Sequence, residues 1–464
     1  MPKQIHLAAH FPGVNHHTVW TDPSHQPDTQ TAFASFEHLA RTAERGKLDF
    51  LFLAEGLRLR EQRGQLVDHD VVGRPDTYTV LAALAGVTSR LGLAGTINAT
   101  FNEPYELARQ FATLDHLSAG RAAWNVVTSS DAFHGANFRR GGYLDHADRY
   151  ERAREVVEAA RALWDAWAAD AVVADAATGV YARDRSIGLV RTDGRLVDIE
   201  ARPTLPRPPQ GHPVIIQAGD SDAGRELAAQ VADAVFSRHG SLEEGRAFYA
   251  DVKGRLARYG RSPEDLKILP GASFVLGDTP AEAEERIREI QRQQVRPAVA
   301  RAFVEQLWNR DLSDYDVDGP LPEIDPLVEA PSITQGRAAT FKDPFAVAAT
   351  WRALAAEKGL SIRELVIEVI GRQSFVGTPE HVADEIDRYV QSDASDGFIL
   401  VPHLTPHGLD EFVDRVVPLL QERGSFRTEY TGTTLREHLG LPAAGHFGRT
   451  LDGVGAADEA LPVA

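Results

Sequence analysis

The chain contains no cysteine. That absence excludes a disulfide scaffold, a Cys-zinc site, a thiol nucleophile and an iron–sulfur cluster held by its own residues. Positive charge is also short: 49 Lys and Arg face 67 Asp and Glu, a formal net charge of −18. Such a surface repels phosphate backbones, so no nucleic-acid partner is expected. No apolar run reaches the length that spans a bilayer, and no membrane partner is expected. The opening MPKQIHLAAHF lacks the basic and apolar regions of a signal peptide, so a cytoplasmic location is expected. Several catalytic signatures are missing too. There is no G-x-G-x-x-G after a strand, no G-x-x-x-x-G-K-[ST], no H-E-x-x-H and no G-x-S-x-G. An enzyme built on this chain therefore needs a cofactor held in another way, or a carboxylate or histidine site.

What is present is globular composition, 43% hydrophobic and 25% charged over 464 residues. Apolar runs and helical periods alternate. Strands are expected at 3–9, 48–54, 91–98, 121–128, 214–218, 234–237, 266–276 and 397–402. The run LDFLFLA at 48–54 is continuous, as expected of a strand buried on both faces. Helices are expected at about 31–45, 78–89, 104–117, 147–168, from 221, at 242–259, from 280, at 379–391 and at 409–423. Eight strands with intervening helices predict an α/β fold, a (β/α)8 TIM barrel, over a doubly wound open sheet. One domain is expected over 1–440, with large insertions at about 170–212 and 296–375. The first insertion carries a hairpin around Thr192-Asp193-Gly194. The second, rich in Pro, Asp and Arg, reads as irregular. Residues 441–464, rich in Ala, Gly and Asp, read as a disordered tail.

In a barrel the chemistry sits at the carboxyl ends of the strands. Five of the 17 histidines fall within residues 6–25, but without ligand spacing, and no metal site is assigned. Ser221 follows Gly219 after the fifth strand and starts a helix, where backbone N–H groups bind anions. An ordinary N-cap is the competing role, and the two are compatible. His146 and Tyr150 are spaced i, i+4 and share a helix face; a phosphate pair and a plain surface pair both fit. Asn125 and Thr128 are polar residues on and after an apolar strand, and a buried polar group needs a partner. Thr100 lies past the third strand, as a turn residue or a ligand contact. Glu55 ends the second strand, where a solvated or capping carboxylate is the alternative.

Four segments carry a family resemblance: LDFLFLAEGL; GLAGTINATFNEPYELARQFATLDHLSAGRAAWNVVTSS; NFRRGGYLDHADRYERAREVVEAARALW; and PVIIQAGDSDAGRELAAQVADAVF. A fifth begins FVGTPEHVADEIDRYV and runs to about residue 442. Together, over about 3–240 and 374–442, they resemble the bacterial luciferase-like flavin-dependent monooxygenases. The similar branch holds the nitrilotriacetate, EDTA, dibenzothiophene-sulfone and long-chain alkane enzymes. The resemblance implies a TIM barrel that takes FMN as FMNH2 from a separate NAD(P)H:flavin reductase. It implies O2 activation as a flavin peroxide, at C4a or N5, and insertion of one oxygen into a small organic substrate. A homodimer or homotetramer is the expected assembly.

The same resemblance implies cofactor contacts from Glu55, Thr100, Asn125, Thr128, His146, Tyr150, Gly219 and Ser221. Glu55 stands where many relatives carry Asp. His16 and His17, in the loop after the first strand, are candidates for substrate contact or proton transfer. Phe11, Trp20, Phe133 and Arg139 are candidates for the substrate pocket, with core packing as the alternative for the aromatics, and the FMN phosphate or plain solvation as the alternatives for Arg139. Two other activities stay open on the same barrel: a deazaflavin-dependent oxidoreductase and a non-catalytic flavin-binding protein.

Overall fold

The computed structural model describes residues 2–13, 18–66, 74–129, 132–139, 146–184, 186–336, 343–370 and 374–445. Eight parallel strands close on themselves: β1 (His6–His10), β2 (Phe50–Leu53), β3 (Gly92–Asn98), β4 (Ala122–Val127), β5 (Val214–Ala218), β6 (Ala234–Ser237), β7 (Lys267–Leu276) and β8 (Gly397–Leu400). Neighbours in sequence pair in order from β1 to β7, and β8 pairs with both β7 and β1. The expected TIM barrel is the fold, and every expected barrel strand is present within a few residues.

Side chains alternate between two cores, as the pleat requires. Leu7, Leu51, Leu93, Trp124 and Ile215 face the helices, in a cluster with Leu39 and Phe111. Leu39 lies on α1 (Phe33–Arg45) and Phe111 on α3 (Pro104–Leu117), with α2 (Thr77–Ala85) between them in sequence. The alternate residues Ala8, Phe50, Phe52, Ala94, Ala123, Val214 and Ile216 fill the barrel interior. Leu435, Leu439 and Leu441 join that interior cluster from the C-terminal segment. This segment plugs the amino end of the barrel. Gly92 makes room for it, because a Cβ there would meet Leu435 Cδ1 at 2.6 Å.

Buried ion pairs pin the plug. Asp49, 0% exposed, accepts the Leu7 N–H at 2.9 Å and contacts His6 Nδ1 at 3.3 Å. Arg427 donates to the same carboxylate. Burial alone would raise the Asp49 carboxyl; the charges of Arg427 and His6 outweigh it and hold the group below its usual range. Asp233 is held likewise by Arg436 at 2.9 Å and by the Ile215 N–H at 2.8 Å.

The 296–375 segment corrects its sequence expectation. It is not irregular: helices run at Pro297–Trp308, Pro344–Lys358 and Ile362–Ile370, around a small core with Trp308, Trp351 and Leu365. Pro297 and Pro344 sit in the first turn of their helices, where the missing N–H costs nothing. These prolines are starters, not breakers. A further strand, Ser374–Gly377, pairs with β7. In the 170–212 segment, Val190–Asp193 pairs with Asp198–Ala201 around the expected turn, and Val172–Asp175 pairs with Val180–Ala182. Ala132–Arg139 is a helix, α4, where only a polar segment was expected. Residues 446–464 of the expected tail lie outside the described set. No helix among the described residues is long and apolar enough to cross a membrane.

Candidate active site

The carboxyl ends of β2 to β5 carry most of the sequence-predicted residues, and two of them meet directly. Tyr150 lies in α5 (His146–Trp164), and Ser221 precedes α6 (Asp222–Val231). Their side-chain oxygens are 3.1 Å apart although 71 residues separate them. Ser221 caps α6 by accepting the Gly224 N–H at 3.1 Å. The helix N-terminus therefore lies beside two hydroxyl groups, a combination that suits a phosphate. The turn from β5 into α6 is tight: a Cβ at Gly224 would lie 3.1 Å from the Gly219 carbonyl oxygen, so a side chain there would crowd it. Asp220, whose charge would oppose an anion here, directs its carboxylate to the backbone N–H of Arg238.

A second group of polar residues lines the barrel interior. Thr96 and Asn125 are register partners on β3 and β4. Asn125 Nδ2 donates to Thr96 Oγ1 at 2.9 Å. Its Oδ1 is buried and finds no hydrogen-bond partner among the described residues. A buried acceptor left open is costly in an apolar interior, so the position fits an N–H supplied by a ligand. At the rim, Asn98 Nδ2 reaches both carboxylate oxygens of Glu55 at 3.1 Å. Burial pushes the Glu55 carboxyl up to about 7, more than the Asn98 hydrogen bonds lower it. Near neutral pH this group holds or releases a proton.

Thr100 is buried in the loop after β3. That loop is clamped to α5 by Arg152, which donates to the Ala99 and Asn102 carbonyls at 2.9 Å each. Arg152 thus positions the Thr100 loop against the helix of Tyr150. Thr128 is half-buried just past β4. Aromatic rings form one wall of the barrel: Phe52 stacks on Phe236 at 5.5 Å and meets His10 at 5.5 Å. His10 Nδ1 is 3.0 Å from the Phe52 carbonyl oxygen.

Other predicted residues sit elsewhere. Phe11 is buried in the strand–helix core, its ring 4.1 Å from Phe36 of α1. Trp20 lies beneath the Arg296 guanidinium, 4.7 Å away. His16 and His17 lie outside the described residues, as do the side chains of Phe133, Arg139 and His146.

Sequence reasoning missed Thr96, Asn98, Arg152, His10 and Phe236. The signal for the first two was in GLAGTIN, residues 92–98: if Ala94 faces inward, Thr96 and Asn98 do too. Arg152 carried no such signal, because its role rests on a loop 50 residues away.

The residues present fit an FMN: an anion cradle at Tyr150, Ser221 and the α6 N-terminus, an open acceptor at Asn125, and a protonatable carboxyl at Glu55. N-acetyl-S-(2-succino)cysteine monooxygenase of Bacillus subtilis (strain 168) is 41% identical over 444 residues, 95% of this chain and 97% of that one. Nitrilotriacetate monooxygenase component A of Aminobacter aminovorans is 41% identical over 453 residues, again 95% and 97%. Among solved structures, a riboflavin lyase (RcaE) with modified FMN and substrate riboflavin superposes with a TM-score of 0.77 and 28% identity, covering 95% of this chain and 97% of that one. The family model described as luciferase-like monooxygenase matches residues 16–396, and with full-length relatives at such identity the chain belongs to the luciferase-like monooxygenase family.

Proposed function

We propose that this chain is the oxygenase component of a two-component, FMNH2-dependent monooxygenase acting on a small organic substrate. The observation that carries the proposal is the Tyr150–Ser221 contact of 3.1 Å at the α6 N-terminus. It joins two distant segments into an anion cradle beside the barrel mouth. Reduced FMN, when bound, supplies the electrons that activate O2 for insertion of one oxygen atom into the substrate.

The chain's own groups bind, orient and protect. Tyr150 and Ser221 would donate their hydroxyl hydrogens to the phosphate, and His146, four residues before Tyr150, is the third candidate donor. Gly219 and Gly224 let the backbone come close. Asn125 Oδ1 accepts from a ring N–H. Thr100 and Thr128 contact the ring edge and the ribityl chain. Glu55 holds a proton at the rim near neutral pH. Phe52, Phe236 and the alanines of the interior exclude water. His16 and His17 contact the substrate or move a proton; Trp20, Phe133 and Arg139 complete its pocket. Phe11, stacked on Phe36 in the core, is given no substrate role.

A separate NAD(P)H:flavin reductase is the electron source. The chain lacks a dinucleotide fingerprint, and the nitrilotriacetate relative is named as one component of its system. A deazaflavin-dependent hydride transfer is less well supported, because the relatives at 41% identity are monooxygenases.

Titration with reduced FMN under anaerobic conditions tests the proposal. One equivalent is expected to bind, and admitting air is expected to produce a transient absorbance absent from the protein-free control. Failure to bind FMNH2 would refute it.

A further inference from the structure

We infer that His38, His407 and Asp410 form a binding site for one divalent transition-metal ion of the zinc class. The cluster joins α1 to the segment after β8, and it is independent of the flavin site. Its donor atoms converge. His38 Nε2 lies 2.9 Å from Asp410 Oδ2 and 3.1 Å from His407 Nδ1; His407 Nδ1 lies 3.5 Å from Asp410 Oδ2. Zinc bonds to nitrogen and oxygen are about 2.0–2.2 Å, so two ligands of a tetrahedral ion stand roughly 3.3 Å apart. The three edges bracket that value. An ion at such bond lengths sits roughly 1 Å above the plane of the three donors.

Hydrogen bonding alone satisfies the cluster poorly. His38 Nε2 carries at most one proton, and it faces both the carboxylate and His407 Nδ1. If that proton goes to Asp410, His407 Nδ1 is left with at best the weaker arm of a bifurcated bond. If His407 donates to His38 instead, the carboxylate faces a lone pair. A bound cation removes the conflict, because all three groups then present lone pairs to one point.

The supporting contacts fit the same role. Thr42 Oγ1 donates to Asp410 Oδ1 at 2.7 Å, which fixes the carboxylate and leaves Oδ2 for the ion. His38 and Thr42 are one turn apart on α1, and His407 and Asp410 are three residues apart at the start of the last helices, so each pair shares a face. Two imidazoles and one carboxylate select zinc, cobalt or nickel over magnesium and calcium, which take oxygen ligands. The His407 side chain is 59% exposed, so water has access to complete the coordination. The ion would tie residues 369 apart in sequence and close the seam between the first and last βα units.

Cobalt titration of the untagged full chain, stripped with chelator and desalted, tests the site. One equivalent of Co2+ is expected to give the visible absorbance of a low-coordinate complex, which excess Zn2+ abolishes. Zn2+ is expected to raise the melting temperature of the wild type. The His407→Ala protein, altered at an exposed side chain, is expected to fold, to bind Co2+ at least tenfold more weakly and to lose the Zn2+ shift. No visible band in the wild type, or equal affinity in His407→Ala and wild type, would overturn the inference. A His38→Gln protein that kept full affinity would do the same.

Discussion

Replacing Glu55 by Gln tests the electrostatics of the barrel mouth most directly. The carboxyl is held at about 7 in the folded protein, against an ordinary value of 4.5, chiefly by burial. The sign follows from which state binds the proton. Below about pH 4 the group is neutral in both folded and unfolded chains and contributes nothing. Between 4.5 and 7 the unfolded chain has ionised while the folded protein still holds the proton, so rising pH favours unfolding. Above 7 the loss levels off at about 3 kcal/mol, the shift of about 2.5 converted at 1.36 kcal/mol per unit. Gln stays neutral throughout and keeps one oxygen for Asn98 Nδ2, at a pH-independent cost of about 1 kcal/mol for the other acceptor. In urea denaturation, Glu55→Gln is therefore expected to be slightly less stable than wild type near pH 4. It is expected to be more stable by about 2 kcal/mol near pH 8. Affinity for reduced FMN should fall with rising pH in the wild type, as the carboxylate comes to oppose an electron-rich ring, and stay flatter in the variant. Parallel pH–stability curves for the two proteins would show that Glu55 is not held protonated by burial, and the argument would fail.

Other expectations follow from the phosphate cradle and the plug. Tyr150→Phe and Ser221→Ala should each weaken FMNH2 binding by about 1.5–3 kcal/mol, roughly 10- to 150-fold, the worth of a hydrogen bond to a charged group. Tyr150→Phe should leave the melting temperature almost unchanged, whereas Ser221→Ala also loses a helix cap worth about 1 kcal/mol. Unchanged flavin dissociation constants in both would remove the phosphate assignment. Arg427→Met should destabilise the protein by about 3–5 kcal/mol at neutral pH, because it leaves a fully buried carboxylate without its cation. Asp49 is depressed in the folded state, so its contribution is present above its ordinary value of 3.8 and lost as pH falls through the folded value. The gap between Arg427→Met and wild type should accordingly narrow in acid, and a gap that stays constant from neutral pH to acid would contradict the ion-pair account.

The strands, their order and the strand-end position of Glu55, Thr100 and Ser221 were legible from local pattern alone. Hydrophobic runs and turn chemistry act over a few residues, and a closed parallel barrel has little freedom once eight βα units are present. The helices of the 296–375 segment were not legible, because a proline reads equally as a breaker or as a first-turn residue until its neighbours are packed. Phe11 shows the same limit at the level of one side chain. Its distance from β1 did not say whether the ring faced the mouth or α1. The site depended most on long-range geometry. The Tyr150–Ser221 contact spans 71 residues, the Arg152 clamp 53 and the Asp49–Arg427 pair 378. So the amino-acid order by itself determined the periodic elements, and through them the barrel. Only the closed tertiary structure decided which polar groups lost their water and met a partner, because desolvation and charge pairing act through space and not along the chain.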